Sequence, residues 1–480
     1  MSTTRKYKRN SNNNHKTHYT ETSNHLIEFI KKRSHSSSKH SFRLSKIPKL
    51  YLSKLCRLIH RSSSHTPKYT VTDMEPTMET FIHDFTNTSD GKHIPSPILD
   101  KIRQSISTKI GRRADLKIHG RDIHLYFIVP TSIPNTLDIS ETNTIMDAFF
   151  ETCIRRAVVW LDVALRFSGE TCANELNCYF FFTDDTKHLP ASSTSFAKKQ
   201  MPGGMGTPIT QKNANTAFTW ACMPSSKIIL FRFEEWFKVF IHESFHCFGL
   251  DFAKMDQTEE QTKRLSALFP VCKKGMDFRI YETYCETWAE TINALFISYY
   301  TNHNNNNNNN NNHNKPIRTT RRHAIHRHTL EISKIMKGVE TILRNERSFS
   351  IYQMVKVMRH HHLTYADLQC IDTLEKQNTY SEETQVFSYY IVKPIFMYYL
   401  NEYIEWCYKH NERENTLYFV KTEENVQQYI ELLSHLIKNP EFRKAVMEEE
   451  HRQSRVAYED KSSSALAKTT LRMSLYEMTP

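Results

Sequence analysis

His242-Glu243-Ser244-Phe245-His246 decides how this chain is read. The five residues lie within Phe233–Gly249. There Trp236, Phe237, Val239, Phe240 and Ile241, with Gly249 at the end, predict an apolar helix. Residues four apart on a helix share a face, so the two imidazoles stand about 6 Å apart at Cβ. That spacing suits two ligands of a tetrahedral Zn²⁺. Glu243 lies about 100° round the helix from His242, within reach of a water at the metal without being a ligand. It is the candidate catalytic base. A surface helix would not surround two histidines with so many large apolar groups.

A catalytic zinc needs a third protein ligand and an open position. One known pattern supplies His or Asp three residues after the glycine, but Phe252 stands there and Asp251 is one residue early. Tyr281–Glu290 (YETYCETWAE) offers glutamates instead. Glu282, Glu286 and Glu290 fall at four-residue steps on one helix face, with no Lys or Arg between them. Stacked like charges destabilise a helix unless a cation compensates. Glu286 is read as the third ligand and Glu290 as the carboxylate that orients a histidine ring through its N–H. Ala289 lets the two helices approach closely. Moving the register by one turn makes Glu282 the ligand and Glu286 its support. Either way the expected cofactor is one Zn²⁺ per chain.

Outward from the motif, His124–Val129 (HLYFIV) and Asn177–Thr183 (NCYFFFT) predict buried strands, and Thr216–Trp220 and Lys227–Phe231 two more. Thr144–Phe167 carries apolar residues at helical spacing. Beyond residue 250 the pattern is almost wholly helical, including Phe278–Tyr300, Thr329–Leu343 and Glu382–Tyr408. The fold class is α+β: a mixed sheet with the motif helix, then a mainly helical C-terminal subdomain. Gly203, Gly204 and Gly206 form a flexible connection.

The domain plan follows composition. Residues 1–70 hold 16 Lys+Arg against Glu21 and Glu28, leaving 48 bases against 50 acids in the rest. Rich in Ser, Asn and His, that segment is expected to be a basic disordered tail with one short amphipathic helix near Ile47–Ile59. It could address the protein, or bind nucleic acid or an anionic surface. Residues 85–250 form the α+β unit, 251–300 the segment with the third ligand, and 328–460 the helical subdomain. Residues 301–327, with nine asparagines at 304–312, are an insertion, and 461–480 a flexible tail. Ten scattered cysteines without a CxxC pair suggest free thiols in a reducing intracellular compartment. No apolar run is long enough to span a bilayer.

Together, HExxH and Glu286-Thr287-Trp288-Ala289-Glu290 (ExxAE) resemble the gluzincin branch of zinc metallopeptidases, as in thermolysin-like enzymes, over roughly residues 120–300. The resemblance implies a zincin-like fold, and hydrolysis of protein or peptide substrates by a Glu-activated water at zinc. It also implies an upstream edge strand that aligns the substrate. Asn215-Thr216-Ala217-Phe218 is similar to that strand, which makes Ala217 and Phe218 candidate substrate-binding residues. Against the oxyanion such enzymes use a His or Tyr, and Tyr390 is chosen here over Tyr389 and His360–His362. The His246-to-Glu286 interval is longer than in the family and implies an inserted loop. The Asn run and basic tail are also similar to HExxH proteins of large, AT-rich DNA viruses, implying a virion or host-cytoplasm location. A second function class remains: a non-catalytic structural or nucleic-acid-binding protein on the same scaffold.

Overall fold

The computed structural model describes residues 19–34, 42–74, 77–104, 108–133, 142–190, 207–310, 321–369, 377–412, 415–456 and 465–480, with backbone alone over 303–310 and 321–330. The Gly203–Gly206 connection and residues 1–18 lie outside them. Six strands make one mixed sheet: β1 (Tyr69–Asp73), β2 (Lys109–Ile118), β3 (Arg121–Pro130), β4 (Glu175–Phe181), β5 (Ala217–Thr219) and β6 (Ser225–Leu230). Among the described residues the first helices are α1 (Glu21–Ser34), α2 (Lys46–Ser64), α3 (Met78–Asn87), α4 (Ser96–Arg103), α5 (Thr142–Ala164) and α6 (Gln211–Ala214). Then come α7 (Trp236–Cys247), α8 (Glu259–Leu268), α9 (Ile280–Asn310), α10 (Arg321–His360) and α11 (Tyr365–Leu368). The last are α12 (Lys393–Tyr398), α13 (Leu400–His410), α14 (Glu423–Ile437), α15 (Pro440–Val456) and α16 (Ala465–Thr469). No described helix is long and apolar enough to cross a membrane.

The sheet order is β1-β2-β3-β4-β6-β5. β3, β4 and β6 run parallel, while β1, β2 and β5 pair antiparallel with their neighbours. Central parallel strands are covered on both faces and so read as continuous apolar runs. Ile123, Leu125, Phe127 and Val129 face the main core with Leu176, Cys178 and Phe180, whereas Ile128 and Phe181 face a smaller core under α3 and α4. Phe127 stacks on Phe180 at 4.2 Å, and Trp236 of α7 meets Phe180 edge-on at 5.7 Å. This contact lays the HExxH helix on the sheet. β2 was missed because Arg113, Asp115 and Lys117 fill one face and Arg112 interrupts the buried positions of the other. Its hairpin to β3 turns at His119-Gly120, both at positive φ, as a two-residue primed turn requires.

Three expectations are corrected. Residues 19–70 are not a disordered tail: α2 buries Tyr51, Leu52, Leu55, Cys56 and Ile59, and α1 buries Leu26, Ile27 and Ile30. The amphipathic stretch near Ile47–Ile59 does fall within α2, and its exposed side keeps the lysines and arginines. Residues 465–480 are not a flexible tail. After α16 the chain runs as a strap through the interior, with Leu471, Arg472, Met473, Ser474 and Leu475 all buried. Tyr19 bridges Met478, so the first and last described segments meet. Finally, not every cysteine is a free thiol: Cys172 and Cys222 form a disulfide. In the asparagine-rich region the backbone of α9 continues to Asn310, and 311–320 lie outside the described residues.

Candidate metal centre

α7 begins at Trp236, after Glu235 takes a left-handed turn at φ 59°, and the chain turns away two residues past its end, at Gly249 with φ 61°. A Cβ on Gly249 would lie 3.1–3.3 Å from atoms of Cys172 and Cys222, so glycine is needed for space as well as for φ. Ser244, on the far face of α7, accepts the indole N–H of Trp160 from α5 at 3.1 Å. With that face fixed, His242 and His246 turn toward α9.

Three donors converge there. His246 Nε2 lies 3.2 Å from His242 Nε2, and Glu282 Oε2 lies 3.1 Å from His242 Nε2 and 3.4 Å from His246 Nε2. Tetrahedral bonds of about 2.0–2.1 Å place neighbouring ligand atoms about 3.3–3.4 Å apart, so this triangle has zinc dimensions. The outer ring nitrogens set the tautomers. His246 Nδ1 faces Asp251 Oδ2 at 2.5 Å. His242 Nδ1 lies 2.9 Å from Glu286 Oε2, an ion-pair distance although off the line of a hydrogen bond. Carboxylates there favour the Nδ1–H tautomers, which leave two Nε2 lone pairs and a carboxylate oxygen pointing at one another. Only a cation or added protons relieve that. The second buried grouping, His246, Asp251 and Cys285, supports the same histidine rather than standing apart.

The ladder on α9 sits one turn from the first reading. Glu282 is the glutamate that meets both Nε2 atoms and Glu286 stands behind His242, which matches the alternative register. Glu286 Oε1 receives Lys238 Nζ at 2.6 Å, and Glu290 binds Lys393 Nζ at 2.5 Å, touching neither histidine. The overlooked signal is Lys238, one turn before His242. It extends the face 238–242–246, which meets 290–286–282 across an antiparallel helix pair, and the lysine takes a carboxylate of its own. Its counter-charge, and those of Lys187 and Arg472, hold Glu235 ionised despite burial.

Glu243 is buried and lines a cavity of about 40 Å³ with His242, Ala217, Tyr389 and Met473. Burial raises its carboxyl above the usual range, against the pull of both histidines. Without a cation His242 is pushed up to about 9: burial lowers it, but its contacts to Glu282 and Glu286 outweigh that.

Of the two tyrosines, Tyr389 is the one at the site. Its hydroxyl donates to Glu282 Oε2 at 2.9 Å, and its ring lies 5.8 Å from that of His242. Tyr390 turns the other way and donates to the Leu471 carbonyl on the strap. Both sit in a five-residue π-turn, Ser388–Val392, a distortion that recurs at functional sites. The histidine cluster is elsewhere: His360 meets the Thr207 carbonyl, and His361 is buried against Tyr380.

β5 ends the sheet beside this cavity. The bond from Phe231 N–H to Thr216 C=O, 2.9 Å, makes that directly opposed pair the hydrogen-bonded one. The next pair, Ala217 and Leu230, therefore turns the Ala217 N–H and C=O away from β6 and toward the open edge. Phe218 faces the opposite side of the sheet, in a separate groove of about 200 Å³ with His93 and Trp220. The chain matches no family model, no curated protein and no solved structure.

Proposed function

We propose that this chain is a zinc-dependent peptidase of the gluzincin type, with His242, His246 and Glu282 as the metal-holding residues. The observation that carries the reading is one continuous arrangement. His242, one of three converging donors, borders one small cavity together with Glu243 of the same helix and the outward peptide groups of an edge strand. A zinc ion held there would polarise a carbonyl and acidify water. The chain's own residues would supply the rest. Ala217 aligns an extended peptide by strand addition. Glu243 takes the proton of the attacking water and returns it to the leaving amine. Asp251 and Glu286 fix the two imidazoles. Tyr389 would release Glu282 and donate its hydroxyl to the reacting carbonyl.

The test is Glu243→Gln with metal content measured alongside. Hydrolysis should vanish while zinc stays. If the variant behaves as wild type in every assay, the peptidase reading fails and a non-catalytic role takes its place.

A further inference from the structure

We propose that the C-terminal strap is a wall of the substrate cleft, and that Met473 limits the side chain entering beside Val239 to a small one: glycine, alanine or serine. This rests on the peptidase reading and names the peptide class that the cleft takes.

Size is the first ground. The cavity between the β5 edge, α7 and Met473 holds about 40 Å³. A cavity needs roughly 10–15 Å³ to hold one water, so beside the attacking water the space takes a hydrogen, a methyl or a hydroxymethyl group and not a leucyl or aromatic one. Charge is the second. Lys187 and Lys238 also border the cavity, but each is paired, with Glu235 at 2.8 Å and Glu286 at 2.6 Å. An acidic side chain would find no surplus cation there.

Rigidity is the third. The Met473 N–H lies 3.1 and 3.2 Å from the two Glu235 oxygens, and its carbonyl accepts from Lys393 Nζ at 3.2 Å. Its neighbours are fixed too, with Ser474 N–H on Glu235 at 2.6 Å and Leu471 N–H on the Lys187 carbonyl at 2.9 Å. Displacing this backbone would strip partners from buried charges, which is costly. The wall therefore stays, and room can come only from the methionine side chain itself, whose sulfur lies 3.8 Å from Lys238 Nζ.

The experiment uses the zinc-loaded full-length chain carrying Glu243→Gln, which should bind peptides without cleaving them. It is equilibrated with a mixed peptide library, and retained peptides are sequenced by mass spectrometry. The same is done with Met473→Ala or Met473→Leu added, after melting curves and zinc content show that each variant folds. One position should be enriched in Gly, Ala or Ser over Leu by about tenfold or more, the scale of selectivity for hydrophobic pockets. Met473→Ala should shift that position toward Leu, Met or Phe, while Met473→Leu keeps the small residues. No enriched position, or an enrichment that Met473→Ala leaves unchanged, overturns the proposal. Retained peptides that the Glu243 chain does not hydrolyse would instead defeat the peptidase reading and leave the pocket assignment standing.

Discussion

Tyr389 and Tyr390 show how one residue step separates a site from its scaffold. Tyr389 donates to Glu282, whereas Tyr390 donates to the strap at Leu471. Tyr389→Phe should lower kcat by about 10² if its hydroxyl serves the reacting carbonyl, with zinc content unchanged. Tyr390→Phe should instead cost about 1 kcal/mol of stability and leave kcat near wild type. Steady-state kinetics and melting curves on the two variants decide between them. A sequence read at helical spacing cannot separate adjacent tyrosines when a π-turn shifts the register beneath them. HExxH itself was fully legible, because i and i+4 on an apolar helix leave no other geometry. The third donor was half legible: the Glu282/Glu286/Glu290 ladder was plain, but its register depended on Lys238 and Lys393, which claim the two later glutamates.

At the level of elements, the ends of α7 and the segment before the π-turn bear the strain. Gly249 combines φ 61° with sulfur atoms of the Cys172–Cys222 bridge close by. Gly249→Ala should destabilise by about 1–3 kcal/mol and loosen the end of the helix that carries His246, which chemical denaturation measures. Glu382 accepts from Tyr380 Oη at 2.9 Å and from the Phe387 N–H at 2.6 Å, and burial pushes its carboxyl up to about 7. Its folded value lies above the unfolded one, so its contribution is full below about pH 4.5 and is lost as pH rises through about 7. Glu382→Gln, which is neutral throughout, should flatten that decline by at most about 3 kcal/mol relative to wild type. Stability measured across pH 4–8 checks it, and an identical slope in both proteins would refute it. The buried strands β3, β4 and β6 announced themselves by apolar runs. β2 did not, because its side chains alternate with charge, and its His119-Gly120 turn was the only local signal.

Across the whole molecule, composition misled where tertiary contacts overrode it. Residues 19–70 and 465–480 looked polar enough to stay unfolded, yet each supplies backbone or apolar groups that the core needs. Glu235 and Glu346 each accept N–H groups of the strap, and Lys393 donates to it. Such pairings join residues 80 to 239 positions apart and leave no local pattern. Deleting residues 470–480 should therefore unpair several buried charges, each worth about 3–5 kcal/mol, and leave little soluble folded protein. A truncated chain with a wild-type melting curve would refute that.

The account stands most directly on metal stoichiometry, measured by mass spectrometry on the purified wild type, Glu282→Ala and Glu286→Ala. The geometry predicts about one zinc per chain in wild type, none retained by Glu282→Ala, and weakened but measurable binding, by about 10–100-fold, in Glu286→Ala. No zinc in the wild type after reconstitution, or full zinc in Glu282→Ala, would contradict it.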